Sequence, residues 1–280
     1  MLRLLSLLPL PVLYALCRLV AGALWLTGWR RDLTLEGLER CLPDVNPAGR
    51  RRLAREFYRW LGQLAAEVLH GVRLTPEALT ECMRFEDTGV VLDELAAGRR
   101  VLLLGAHHGN WEWLLLQCSR AFGEPLVAAY KPSGQAWADG WIRDLRGRFG
   151  ATMVPAQDLV QYLIAQRGQV RLLAMLADQS PARRDRQTWL PFLGQETAFF
   201  EGPGWIGAKL GFQPVFIAMR PDGRGRYVAR FVPLLAADER PHPDQILRAY
   251  VRQLEQQVRA HPVQYFWAYN RWKRPRRLYE

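Results

Sequence analysis

The stretch Gly105-Ala106-His107-His108-Gly109-Asn110-Trp111-Glu112 gathers two imidazoles, an amide and a carboxylate into eight residues. A histidine held in one tautomer by a carboxylate is a general base, able to take the proton of an alcohol as that alcohol attacks a thioester. Asn110 is an N-cap by residue type, which places Glu112 in the first turn of a helix, where its charge suits the dipole. His107, in the loop before it, can turn back to meet Glu112. Amides at the helix start would offer donors to an oxyanion. His108 and Glu112 stand at i, i+4, a metal-ligand spacing on a continuous helix. Gly109 argues against a helix that begins before His108, and no third ligand is evident, so no metal is expected. Read without context, two histidines that only hydrogen-bond within a loop fit the same residues.

The flanking pattern supplies the elements that must hold this loop. Val101-Leu102-Leu103-Leu104 is a short apolar run of the kind found in a strand buried on both faces, and Trp111 to Phe122 reads as a helix stopped by Gly123. Further strands are expected at Leu126–Tyr130, Val170–Leu176, Val215–Met219 and Tyr227–Phe231. Helices are expected at Arg50–His70, Thr88–Ala97, Trp137–Phe149, Leu159–Gln166, Pro203–Leu210 and Asp244–Ala260. The first of these carries Leu53, Phe57, Trp60, Leu61, Leu64 and Val68 on one side. Strands alternating with helices imply an α/β fold with a mixed, mainly parallel central sheet flanked by helices. In such sheets ligands gather at the carboxyl ends of strands, where the His107 loop falls.

Residues Leu4 to Trp29 are almost all apolar. A helix from Pro11 to Trp29 just reaches the ~20 residues a bilayer crossing needs, with Arg18 as its costly interruption and Trp25 and Trp29 where an aromatic belt would lie. A helix lying in the interface, a secretory leader with Ala21-Gly22-Ala23 as its cleavage site, and a first helix packed on the core are the alternatives. The anchor reading divides the chain into an N-terminal membrane helix over residues 1–30 and a single α/β domain over 31–280. If the helix spans, the arginines that follow it (Arg30, Arg31, Arg50, Arg51, Arg52, Arg55) place the body in the cytoplasm.

The formal charge of +11 favours anionic partners. It is carried by arginine, the only lysines being Lys131, Lys209 and Lys273; arginine grips phosphate bidentately, although a GC-rich genome would enrich it as well. Cys17, Cys41, Cys82 and Cys118 have neither zinc nor disulfide-framework spacing. Gly202 to Gly207 matches G-x-G-x-x-G, but Thr197 to Glu201 is a poor strand by residue type and Pro203 is awkward in a phosphate loop, so close helix packing is the better reading than a nucleotide site. The basic run from Arg271 to Arg277 suits a solvated tail, a lipid headgroup or an acidic carrier; nucleic acid is not expected as a partner. Arg183-Arg184-Asp185-Arg186 reads as a loop near the site. Trp137, Trp141, Trp189, Trp205 and Trp267 suit a core or the lining of an acyl-chain groove.

The H-x-x-x-x-E spacing of His107 and Glu112 after a buried strand resembles the late acyltransferases of lipid A biosynthesis, the lauroyl and myristoyl transferases of Gram-negative bacteria. They are related to the lysophospholipid and glycerophosphate acyltransferases. The resemblance extends along the chain. Ala129-Tyr130-Lys131-Pro132 is similar to the family's Tyr-Arg-Pro element. Ala177-Asp178-Gln179-Ser180 and Leu190-Pro191-Phe192-Leu193-Gly194 are similar to its Asp-Gln and Pro-Phe-Phe-Gly elements. Tyr265-Phe266-Trp267 with Arg271-Trp272-Lys273 is similar to its C-terminal ending.

This resemblance implies transfer of a fatty acyl chain from acyl carrier protein, or coenzyme A, to a hydroxyl of a lipid A precursor at the bacterial inner membrane, without a cofactor. His107 would be the base and Glu112 its orienter. Lys131 would meet phosphate or the thioester oxygen, and Asp178 would position the site, with Asn110, His108 and Arg271 also at the substrate. Lys131 stands where arginine is usual and Ser180 where a polar or acidic residue often occurs. An ornithine lipid, a lysophospholipid or a glycolipid therefore stays open as acceptor, as does a non-catalytic lipid-binding protein of the same fold.

Overall fold

A computed structural model describes residues 2–132, 134–182, 185–236 and 242–273. Arg183, Arg184 and residues 274–277 of the basic tail lie outside the described residues. The N-terminal third is helical: α1 (Leu2–Leu5), α2 (Leu10–Leu26), α3 (Arg31–Cys41) and α4 (Pro47–His70). An alternating section follows, with α5 (Pro76–Cys82), β1 (Met83–Glu86), α6 (Gly89–Ala96), β2 (Arg100–Gly105), α7 (Trp111–Ala121), β3 (Leu126–Tyr130), α8 (Ala136–Arg146), β4 (Thr152–Pro155), α9 (Leu159–Ala165) and β5 (Leu172–Leu176). The last section holds β6 (Gln187–Phe192), β7 (Gln195–Phe200), α10 (Gly202–Leu210), β8 (Phe212–Pro221), β9 (Tyr227–Pro233) and α11 (Pro243–Ala260).

Seven strands form one sheet in the order β1-β9-β8-β2-β5-β3-β4, and β6 and β7 form a separate hairpin. Only the β8–β9 pair in the large sheet is antiparallel. The fold is therefore mixed α/β with a mostly parallel centre. Alternation along β2 explains why both faces are covered. Leu102 and Leu104 point into a core shared with α4 and α11, while Val101 and Leu103 point into one shared with α6 and α7. The β6–β7 hairpin turns on Leu193 and Gly194, both at positive φ. A buried leucine is a costly choice there; its amide donates to the Glu255 carboxylate at 2.9 Å, which holds the turn.

The N-terminal helix differs from its expected course. It begins at Leu10 and ends at Leu26, because Gly28 and Arg30 adopt positive φ and turn the chain into α3 at 81°. Seventeen residues reach about 26 Å at 1.5 Å each, short of a ~30 Å hydrocarbon core. No single helix among the described residues is long and apolar enough to cross a membrane, although α2 and α3 taken as a bent pair pass on length and composition. One face of α2 packs on α4 so closely that a Cβ on Gly62 would lie 2.7 Å from the carbonyl oxygen of Cys17. The opposite face leaves Val12, Leu16, Leu19, Val20 and Leu26 exposed.

Candidate active site

Strands β2, β5 and β3 are neighbours and run parallel, so their carboxyl ends open on the same edge. Gly105 pairs with Leu176 in register. Two residues beyond that pair, the chains reach His107 and Asp178. The imidazole Nδ1 of His107 lies 2.8 Å from Oδ1 of Asp178. A carboxylate can only accept, so Nδ1 carries a proton, and in the neutral imidazole this leaves the lone pair on Nε2. The acid is sealed, with 3% of its side chain exposed, while the imidazole keeps 21%. Burial pushes the Asp178 carboxyl up, but the His107 imidazole and the backbone donors of both residues outweigh it and hold the carboxyl below its ordinary value. The amide nitrogen of Gln179 lies 3.3 Å from Nε2.

Glu112 occupies the expected place in the first turn of α7 but faces a different partner. Arg146, at the end of α8, takes both of its oxygens, Nε to Oε2 at 2.8 Å and Nη2 to Oε1 at 2.6 Å. The indole of Trp111 donates to Oε1 at 3.0 Å. A guanidinium is a permanent, planar, two-pronged cation and wins a carboxylate over a neutral imidazole. Burial works against the charge on Arg146, and the bond to Glu112 more than restores it. The imidazole–carboxylate contact expected of Glu112 is thus made by Asp178.

The other expected substrate contacts separate by burial. Lys131 is exposed on the loop after β3, at the same sheet edge as His107. Asn110 is fully buried and caps α7, its Oδ1 accepting from the amide of Trp113 at 3.0 Å. His108 is fully buried as well; its Nε2 lies 3.0 Å from the carbonyl of His261, and burial lowers its pKa to about 3, so it stays neutral. Arg271 is also turned inward: its guanidinium donates to the carbonyl of Ala198 at 2.6 Å and to Ser180 Oγ at 3.3 Å, and stacks over Phe199. Its burial and its bonds to Ser180 and Ala198 make it a clamp between the Asp178 loop and β7, not a surface cation. These three residues hold the site from behind.

The C-terminal segment closes over the His107 loop. The amide of Gly109 donates to Gln264, that of Phe266 donates to His107, and His108 pairs with Tyr265 as an isolated antiparallel bridge. Gly109 has φ of 61°, and a Cβ there would lie 2.9 Å from the sulfur of Met219, so the loop needs glycine twice over. Beside the loop runs an open apolar groove of about 370 Å³, walled by Leu61, Leu64, Ala65, Val68 and Leu69 of α4 and by Trp111, Glu112, Trp141 and Phe266. Trp111 links it to His107, the two rings meeting edge-on at 5.2 Å. Of the tryptophans expected in a core or groove, Trp141 lines the groove and Trp267 is buried, whereas Trp137 is exposed at the start of α8 and does neither.

Among the described residues no three of His, Cys, Asp and Glu cluster as metal ligands, and the four cysteines are free thiols. The G-x-G-x-x-G match does follow a strand, β7, contrary to the expectation for Thr197 to Glu201, but that strand belongs to an antiparallel hairpin and the glycines lie within α10, where Gly204 and Gly207 let the helix approach Pro243 and Ile246 of α11. Arg146 and Glu67, which turn out to hold the loop's neighbours, were missed. Arg146 carries no motif. Glu67 lies three residues beyond Leu64 on the apolar side of its helix, as Glu56 lies three beyond Leu53, so residue type and spacing do not single it out. A search of curated proteins gave no match. The family model for bacterial lipid A biosynthesis acyltransferases matches residues 1–274.

Proposed function

The chain belongs to the bacterial lipid A biosynthesis acyltransferase family, and from that premise we propose that it moves a fatty acyl chain from a thioester to a lipid hydroxyl with His107 as general base. The observation that carries this reading is the His107–Asp178 hydrogen bond, with the His107 ring against Trp111, which walls an apolar groove. Nε2 takes the proton of the acceptor hydroxyl while its oxygen attacks the thioester carbonyl. The tetrahedral intermediate collapses, the C–S bond breaks, and the proton on Nε2 passes to the departing thiolate. The products are an ester and a free thiol. Asp178 keeps Nδ1 protonated and stabilises the imidazolium between the two transfers. The positive end of the α7 dipole beside the loop favours the oxyanion.

The groove receives the acyl chain. Glu112, held in place by Arg146, shapes its wall beside the reacting carbonyl, and Lys131 meets an anionic group of the acceptor. The donor is acyl carrier protein or acyl-coenzyme A, and the acceptor a lipid A precursor or a related lipid such as an ornithine lipid or lysophospholipid. The exposed apolar face of α2, with Arg30 and Arg31 at its end, supports seating on the cytoplasmic side of the inner membrane in the interfacial manner.

The test is acyl transfer by the purified full chain from acyl carrier protein and coenzyme A thioesters to a panel of these acceptors. Transfer by the wild type and its loss in a folded His107→Ala variant would uphold the reading. Equal transfer by both would overturn the mechanism, and no transfer to any acceptor would favour a non-catalytic lipid binder. Lipid mass spectrometry of cells with and without the protein identifies the acceptor.

A further inference from the structure

Glu67 lies on α4, fully buried, and plays no part in the chemistry described so far. Four side chains surround its carboxylate. Tyr14 of α2 and Gln63 donate to Oε1 at 3.1 and 2.8 Å. Asn110 and Tyr227 donate to Oε2, both at 2.8 Å. Its backbone carbonyl also accepts from the indole of Trp113 at 3.0 Å. The orientation of Asn110 is not arbitrary: Oδ1 takes the Trp113 amide, so Nδ2 must point at Glu67. Burial pushes the Glu67 carboxyl up, and the four donors pull against it. An acid sealed from water is tolerated only while such donors are in place.

Gln63 belongs to α4 itself, and the other three partners come from α2, from the cap of α7 and from the start of β9. Asn110 is the cap of α7, three residues from His107. Tyr14 sits on the inward face of the same helix whose outward face is apolar and exposed. Arg224, in the turn between β8 and β9, lies 4.0 Å over the Tyr14 ring, and a Cβ on the neighbouring Gly225 would approach the Tyr14 hydroxyl to 2.6 Å.

We infer that Glu67 is a positioning residue that ties the cap of the catalytic helix to Tyr14, so that seating of α2 on α4 orders the His107 loop. The step from Glu67 to Asn110 to the loop is direct. The step from Tyr14 makes the membrane-facing helix a structural condition of the active conformation. The consequence for turnover rests on the acyl-transfer reading; the consequence for loop order does not.

The experiment compares Tyr14→Phe and Glu67→Gln with Tyr58→Phe, which deletes a buried hydroxyl bonded to the carbonyl of Trp29, outside this network. Hydrogen exchange of the full chain is followed over residues 106–113 and, as reference, over residues 126–130. Exchange over 106–113 should rise at least tenfold in Glu67→Gln and several-fold in Tyr14→Phe, with the reference strand and Tyr58→Phe unchanged. In the transfer assay both network variants should lower kcat, by about tenfold in Glu67→Gln, with KM for donor and acceptor within twofold. Unchanged exchange over the loop overturns the inference, as does loosening shared equally with the reference strand, or a rise in KM at constant kcat. Should Glu67→Gln not fold, Tyr14→Phe decides alone. Absence of transfer in wild type would sink the acyl-transfer reading, and the exchange arm would still decide this one.

Discussion

His107 and Asp178 stand side by side because two parallel strands end in register, and their 2.8 Å contact joins residues 71 positions apart. An amide in place of the acid would offer Nδ1 either an oxygen or a nitrogen and lose control of the tautomer. Asp178→Asn should therefore lower kcat on the order of 10³-fold with substrate KM little changed. Steady-state kinetics on a variant with unaltered circular dichroism check this. A loss below tenfold would mean that Asp178 does not orient the base.

Glu112 and Arg146 should behave as a unit. Their side chains are 6% and 21% exposed and paired bidentately, so removing one strands the other largely buried and unpaired. Breaking a buried pair costs about 3–5 kcal/mol. Glu112→Ala and Arg146→Ala should each lose stability of that order and at least tenfold in activity. Glu112→Leu with Arg146→Met should recover much of the stability, and its activity should be no worse than that of either single variant. Denaturant melts and a double-variant cycle on kcat/KM measure both. Full additivity would show that the two act separately.

These two pairs mark where the sequence was legible. The buried strand before His107, the helix after it and the cap at Asn110 follow from local rules of period and residue type, and their bounds fall within a residue or two of the expected ones. The partner of His107 is not a local matter. Glu112 is near in sequence, and nothing in the spacing could reveal that Arg146 claims it. Asp178 was visible as a family element but its contact depends on strand order, with β5 next to β2. The elements that went unread, α3, α5, β1, β4 and the β6–β7 hairpin, are short or polar and carry little periodicity. The hairpin turn rests on leucine at positive φ, a residue type that gives no turn cue.

His108 makes stability depend on pH in a defined window. Its folded pKa is lowered to about 3 by burial, against an ordinary value of 6.5. As pH falls from 6.5 towards 3, the unfolded chain binds a proton that the folded one refuses. Stability should fall across that window with a slope approaching about 1.4 kcal/mol per pH unit from this group. Asp178 contributes with the same sign lower down: its folded pKa is depressed, so its stabilisation is present above the unfolded carboxyl value and is lost as pH falls through the folded one. His108→Gln keeps a donor for the carbonyl of His261 and removes the titration. Urea melts from pH 7 to 4 should show a shallower decline in this variant than in wild type; parallel curves would exclude His108 as the source.

The outward face of α2 should decide membrane binding. Leu19 and Val20 are 72% and 60% exposed and lie on the side away from α4. Charges placed there meet solvent in the free protein, so the fold should tolerate them, while burial at a bilayer surface would not. Leu19→Glu with Val20→Glu should leave the melting temperature within a few degrees and reduce flotation with anionic vesicles at least tenfold. Unchanged flotation would assign the contact to another surface.

Chain-length preference should respond to Ala65. It sits on the groove wall between Leu61 and Leu69, each one helical turn away, and its side chain is the smallest of those that line the groove. A larger residue there fills part of the space without touching His107 or Asp178. Each methylene that a site admits or refuses is worth about 1–3 kcal/mol in discrimination. Ala65→Phe should therefore shift preference towards shorter acyl donors by tenfold or more in the ratio of kcat/KM values, while transfer from a short donor stays near the wild-type rate. Competition between two donors in one reaction, read by mass spectrometry of the product, gives that ratio directly. An equal loss for every chain length would show that the variant damages the site, and an unchanged ratio would show that the acyl chain does not pass this wall.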